Sequence, residues 1–179
     1  MKHVHCVLLT LMFLAATLSP ALVRAAPWPD DWRLQGEGEM RWFGLSLYQA
    51  RLWVPPRERF PLEGTPEPGL SFALELRYAR DFDGDRLAGA SIDELRRLGW
   101  ADKSQLERWG VELAKVFPNV KQGEVIVGRH LAGGAAEFFH QGQRTGRIDD
   151  PQLATAFFAI WLDPRTREPQ LRARLLGGS

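Results

Sequence analysis

Cysteine is almost absent from this sequence. Of 179 residues only Cys6 carries a thiol, and it falls in an N-terminal stretch expected to be removed. The remaining chain is therefore expected to hold no disulfide, no thiol nucleophile and no cysteine-ligated metal. Histidine is scarce too: past the first residues only His130 and His140 remain, neither beside a second ligand at a metal-binding spacing, so both read as strand residues. No serine lies in a G-x-S-x-G context, which gives Ser71, Ser91 and Ser104 no support as nucleophiles. Charge of one sign is missing as well. The 23 basic residues, less Lys2 and Arg24, leave 21 against 22 acidic ones, and no basic stripe of the kind that neutralises a run of phosphates is present, which excludes nucleic acid as an expected partner. The sequence has no internal repeat, heptad pattern or low-complexity block.

Only one long hydrophobic run occurs, Val4 to Leu18, behind Lys2 and ahead of small residues at Ala25 and Ala26. It is shorter than the roughly 20 residues that span a bilayer, so it reads as a secretory leader cut after Ala25 rather than an anchor. Residues 26–179 are then expected to form a single exported, periplasmic domain with no stable membrane insertion once the leader is gone. About 154 residues are enough to bury roughly two-thirds of the unfolded surface in one core.

Beyond the leader, the order of periodicities is informative. Residues 36–54, GEGEMRWFGLSLYQARLWV, read as two strands around a tight turn. A Pro/Gly-rich loop, Pro55 to Gly69, follows. Ser71 to Ala79 alternates Phe72, Leu74, Leu76 and Tyr78 with smaller or charged residues, the period of a half-buried strand. Asp83 is placed to start a helix that carries Leu87, Ile92, Leu95 and Leu98 and stops at Gly99; Asp102 or Ser104 opens a second, with Leu106, Trp109, Leu113, Val116 and Phe117 on one face and Pro118 at its end. EVIVGRHL, AAEFFHQ and QRTGRI, separated by Gly133-Gly134 and Gln141-Gly142, predict two hairpins. Asp150-Pro151 launches a helix through Leu162, and a short one runs from about Gln170 to Leu176. Segregated runs of strands and helices predict an α+β fold, a mostly antiparallel sheet with helices layered on one face.

The first hairpin raises the functional question. With Gly44-Leu45 as a two-residue turn, Arg41 and Tyr48 stand directly opposite each other and share a face with Glu39, Ser46, Ala50 and Leu52. A guanidinium fork and a phenol there could together grip a carboxylate from a small amphipathic ligand. Alternatively, Glu39 takes Arg41 as an internal partner and Tyr48 merely packs. Secondary candidates for the same cleft are Arg77 with its neighbour Arg80, Trp109, and Phe157, Phe158 and Trp161 at helical spacing, each of which has an ordinary structural reading: arginines snorkelling to solvent and aromatics in the core. Asp81, Asp83 and Asp85 alternate as in a calcium loop, but Arg86 and Ile92 stand where that loop requires glycine and glutamate, so helix capping is the expected role of these aspartates. No metal or cofactor is expected.

The hairpin, together with LELRYARDFDGDRLAGASIDELRRLG, FPNVKQGEVIVG and FFHQGQRTGRIDDPQLATAFFAIWLDP, resembles the chalcone isomerase-like domain family, particularly its exported bacterial members. The resemblance implies an open-faced β-sandwich with a ligand cleft between sheet and helices. In plants the family divides into isomerases that close a chalcone to a flavanone and non-catalytic proteins that bind fatty acids. Arg41 matches the first-strand arginine of the isomerases, but Tyr48 stands in place of their threonine and Leu87 in place of their helix-borne tyrosine. Arg41 and Tyr48 are similar instead to the arginine and tyrosine with which the fatty-acid binders hold a carboxylate. The resemblance thus implies a binding protein for a small hydrophobic or amphipathic ligand. An isomerase or intramolecular lyase acting on an enone, and an envelope module docking an unidentified protein, are the alternatives.

Overall fold

A computed structural model describes residues 27–58, 60 and 69–178. The expected leader and its cleavage point, and most of the Pro/Gly-rich loop, lie outside the described residues. Six strands, β1 (Arg33–Trp42), β2 (Leu45–Val54), β3 (Phe72–Tyr78), β4 (Val125–His130), β5 (Ala136–His140) and β6 (Gln143–Ile148), form one antiparallel sheet in sequence order. Four helices, α1 (Gly84–Leu98), α2 (Lys103–Val116), α3 (Pro151–Leu162) and α4 (Pro169–Leu175), complete the α+β architecture.

Local chemistry explains where the helices begin. Asp102 caps α2 by accepting from the Gln105 amide at 2.9 Å, and Asp150 caps α3 by accepting from Gln152 and Leu153 at 2.9 and 3.2 Å, with Pro151 in the first turn. Helix α1 differs. Asp83 holds the cap position but makes no side-chain cap bond; Asn119 Oδ1 instead accepts from the Gly84 amide at 2.9 Å. Asp81 does not cap either: its carboxylate accepts from Lys121 Nζ and the Gln122 amide. Capping therefore does not account for the aspartates of this segment as expected. Gly99 ends α1 at φ 75°, and Phe117 ends α2 just before Pro118.

The helices cover one face of the sheet. β2 turns Ala50, Leu52 and Val54 inward and β3 turns Phe72, Leu74, Leu76 and Tyr78 inward, while α1, α2 and α3 contribute Leu95, Trp109, Leu113, Phe157 and Phe158 to the same core. Full burial of each such side chain is worth roughly 1.5–3 kcal/mol. After α3 the chain returns to the far edge of the sheet, where α4 lies so close to β1 that a Cβ on Gly36 would sit 2.0 Å from the Arg174 carbonyl oxygen. Glycine is the one residue that lets helix and strand backbones approach this far.

The register of the first hairpin departs from expectation. The turn is Phe43-Gly44, not Gly44-Leu45, with φ of 47° and 79°. Positive φ at both central residues is the hallmark of a type I′ turn. Trp42 consequently pairs with Leu45 and Arg41 with Ser46; an irregularity then skips Leu47, and Met40 pairs with Tyr48. One residue of slip moves a strand's side chains to the other face. Arg41 and Tyr48 are not opposed, and Ala50 and Leu52 lie on the face away from Glu39.

Candidate functional site

Between sheet and helices lies a cavity of about 410 Å³, inside the roughly 300–1,000 Å³ range of small-molecule sites. The hairpin supplies Met40, Leu47 and Tyr48, and β3 supplies Leu74, Leu76 and Tyr78. Its helical side is built from Leu87 and Ser91 of α1 and from Phe157, Ile160 and Trp161 of α3. The break in alternation at Leu47 is what lets Leu47 and Tyr48 both face this space. The chain has two tyrosines, and both line the cavity.

Tyr48 is the best-placed polar group. Its hydroxyl oxygen accepts from Trp161 Nε1 at 2.9 Å, which leaves the phenolic proton free to point at a ligand. Burial pushes the phenol above its usual value, outweighing the stabilisation of the anion by the Trp161 bond, and Glu168 and Glu94 push in the same direction as burial. Burial, and then Tyr48, raise Tyr78 likewise. Both phenols are thus protonated donors, 6.0 Å apart between ring centroids and edge-on. Ser91 Oγ donates to the Leu87 carbonyl at 2.8 Å and is occupied within its own helix. Arg86, in the first turn of α1, is the cation lining the cavity; it is largely exposed and 3.4 Å from Asp83.

A second, smaller recess of about 270 Å³ adjoins the first, with Met40, Tyr48, Ile160 and Trp161 lining both. Its other walls are polar or exposed: Trp42, Glu94, Thr166, Arg167 and Glu168. Arg167 reaches Glu94 at 3.2 Å. The Tyr48–Trp161 hydrogen bond therefore forms part of a partition between an apolar chamber and a polar one.

Of the ligand contacts proposed from the sequence, Tyr48, Phe157 and Trp161 line the cavity. Arg41, 61 % exposed, lies on the outer face with its Nε 3.0 Å from Glu39, which is the internal pairing held open above. Arg77 is also outside, donating to the Gly123 carbonyl at 3.0 Å, and Arg80 is exposed. Trp109 is a core residue whose Nε1 donates to Asp150 at 2.9 Å, and Phe158 is fully buried among Phe72, His130 and Phe157. The structure adds Tyr78 and Arg86 to the cavity. Tyr78 had a legible signal, being the one phenol on the inward stripe of β3; Arg86 had none, since one exposed helical arginine resembles any other. Leu87, at the position of the isomerases' helical tyrosine in the resemblance, presents an alkyl side chain to the cavity. Among the described residues no group of three or more His, Cys, Asp or Glu could hold a metal ion, and no helix is long and apolar enough to cross a membrane.

No curated protein matches this chain in sequence. A fatty-acid binding protein from Arabidopsis thaliana, known from its crystal structure, superposes with a TM-score of 0.60 over 84 % of this chain and 89 % of the other, at 13 % identity. At that identity the likeness establishes a shared fold. The sequence model for chalcone isomerase-like proteins matches residues 28–177, nearly the whole described molecule, and the chain accordingly belongs to the chalcone isomerase-like family.

Proposed function

We propose that this protein is an exported, periplasmic binding protein, without catalytic activity, for a small amphipathic carboxylate of the fatty-acid type. The observation that carries the reading is the apolar cavity between sheet and helices with protonated phenols at its wall. The acyl chain occupies the space between β3 and α1; the carboxylate accepts from Tyr48, whose hydroxyl is oriented by Trp161, and Arg86 supplies positive charge from the rim. Arg41 has no part in it. The similarity in fold to a plant fatty-acid binding protein supports the same ligand class, and the alkyl side chain of Leu87 in the helix supports binding over isomerisation.

Each methylene removed from water contributes about 0.8 kcal/mol, or roughly fourfold in affinity, so binding strengthens with chain length until the cavity is filled and then levels off. Titration with a series of saturated fatty acids, read by calorimetry, is expected to show that rise and plateau, and gentle native mass spectrometry of protein from its own cell envelope is expected to show a bound lipid mass. Affinity independent of chain length, together with a ligand-free spectrum, would refute the reading.

A further inference from the structure

The tip of the β1–β2 hairpin presents an apolar surface that the fold does not use. Trp42 is 61 % exposed, Phe43 87 % and Leu45 52 %, and the rings of Trp42 and Phe43 meet edge-on with centroids 4.8 Å apart. Phe43 also holds φ at 47°, a conformation ordinarily left to glycine, asparagine or aspartate, and costly for a bulky side chain. A phenylalanine gains little inside the molecule for that cost when seven-eighths of its surface faces water. Its contribution lies outside the chain.

We propose that this tip docks the protein on an anionic phospholipid surface. Between Met40 and Tyr48 the one charged residue is Arg41, which would exchange its exposed ion pair with Glu39 for lipid phosphate, so the segment beyond that pair carries aromatic rings and a leucine but no carboxylate. That composition complements a lipid surface, where tryptophan settles at headgroup depth, apolar side chains reach the acyl boundary and a basic residue meets lipid phosphate. A protein partner fits less well: two partly exposed aromatics of roughly 150–250 Å² each and one leucine reach only the low end of the roughly 600–800 Å² that each partner contributes to a stable interface. The position of the tip fits the occupant too. Trp42 lines the polar recess, and Met40 and Leu47, on either side of the tip, line the apolar cavity. A lipid-derived ligand could pass from bilayer to cavity across apolar surface. The docking extends the acyl-binding reading but does not require it.

Co-sedimentation with vesicles of phosphatidylethanolamine containing about a quarter phosphatidylglycerol tests the proposal. The protein is expected to partition onto them, with tryptophan fluorescence quenched by brominated acyl chains, and the triple variant Trp42→Ser, Phe43→Ser, Leu45→Ser is expected to lose at least about tenfold in partitioning. Phe43→Asn guards against misfolding: it relieves the turn, so it is expected to raise the Tm while weakening the partition. Absence of wild-type partitioning, equal partitioning of the triple variant, or a wild-type dimer that the triple variant dissociates would each overturn the proposal, the last by assigning the tip to a second copy. Vesicle binding without fatty-acid uptake would leave the docking standing and remove the acyl reading; uptake from solution without vesicle binding would do the reverse.

Discussion

On the face turned toward the helices, β2 and β3 present Tyr48, Ala50, Leu52, Phe72, Leu74, Leu76 and Tyr78; on the other face the same strands present Gln49, Arg51, Trp53, Glu75 and Arg77. The inner side settles its few polar groups by keeping them neutral. Tyr48 and Tyr78 are held protonated by burial, and His130, stacked on Phe72 at 5.0 Å, is depressed by burial against a smaller opposing effect of its bond to the Leu70 carbonyl. The outer side settles its polar groups by pairing charges. Glu137 sits among Arg129, Arg144 and Arg147; burial pushes its carboxyl up, yet these guanidiniums hold it below the usual range. Glu75 accepts from Trp53 Nε1 at 3.1 Å and lies 3.7 Å from Arg51, and Trp28 folds back to stack on Trp53. The difference bears on the proposed ligand site. A carboxylate arriving at the outer face would compete with carboxylates already present, whereas one entering the inner cavity meets neutral donors, the nearest carboxylates, Glu94 and Glu168, lying in the adjoining recess beyond Tyr48.

The largest effect is expected from Tyr48→Phe. The change keeps the ring and removes the hydroxyl, so the ligand carboxylate loses a hydrogen bond worth roughly 1.5–3 kcal/mol when the acceptor is charged. Affinity for a fatty acid is expected to fall about tenfold or more in calorimetric titration. Trp161 Nε1 loses its acceptor as well, at a cost of about 1–3 kcal/mol in stability, read as a lower urea midpoint. Unchanged fatty-acid affinity in this variant would move the carboxylate away from Tyr48.

Much of the fold was legible because local and global signals agreed. Gly99 closing α1, Asp150-Pro151 opening α3 and the paired turns around β5 are each fixed by chemistry within a few residues. The start of α4 at Pro169 rather than Gln170 is the usual uncertainty of a helix end. The hairpin register was not legible, for a definable reason. One glycine, Gly44, suits the first central position of a type II′ turn and the second of a type I′ turn equally, and the flanking Trp42, Phe43, Leu45 and Leu47 are apolar on both sides, which erases the alternation that normally selects a register. Trp109 and Phe158 sit at core spacing, which says nothing about which core residues border a void. The cavity arises from the distance between α1 and the sheet, and no short stretch of sequence encodes that distance.

A second test bears on the neutral inner face alone. Because the Leu70 carbonyl can only accept, His130 Nδ1 carries the proton, and Nε2 has no partner among the described residues. Burial lowers the folded-state pKa below the ordinary value of about 6.5. Between those two values the unfolded chain binds the proton that the folded chain refuses, so stability rises with pH across that window and is lost as pH falls below about 6.5. Thermal melts from pH 8 downward are expected to show that decline before the paired carboxylates of the outer face, Glu137 among them, begin to titrate at lower pH. In His130→Gln the decline is expected to vanish. If it persists, another group accounts for it.

The smallest expected effect belongs to the residue that looked most functional in the sequence. Arg41→Ala removes a guanidinium that is 61 % exposed and paired with a half-exposed Glu39. Exposed ion pairs contribute about 0–1 kcal/mol because water screens them and ordering two long side chains opposes them. The urea midpoint is therefore expected to move within error, and fatty-acid affinity in solution to stay within about twofold of wild type. The same variant measured on anionic vesicles is expected to weaken partitioning modestly, by the roughly 1 kcal/mol that one basic residue contributes near such a surface. Calorimetric titration of Arg41→Ala decides between the two faces: a tenfold loss of fatty-acid affinity would require Arg41 to reach the ligand, and hence a hairpin register in which it crosses to the inner side.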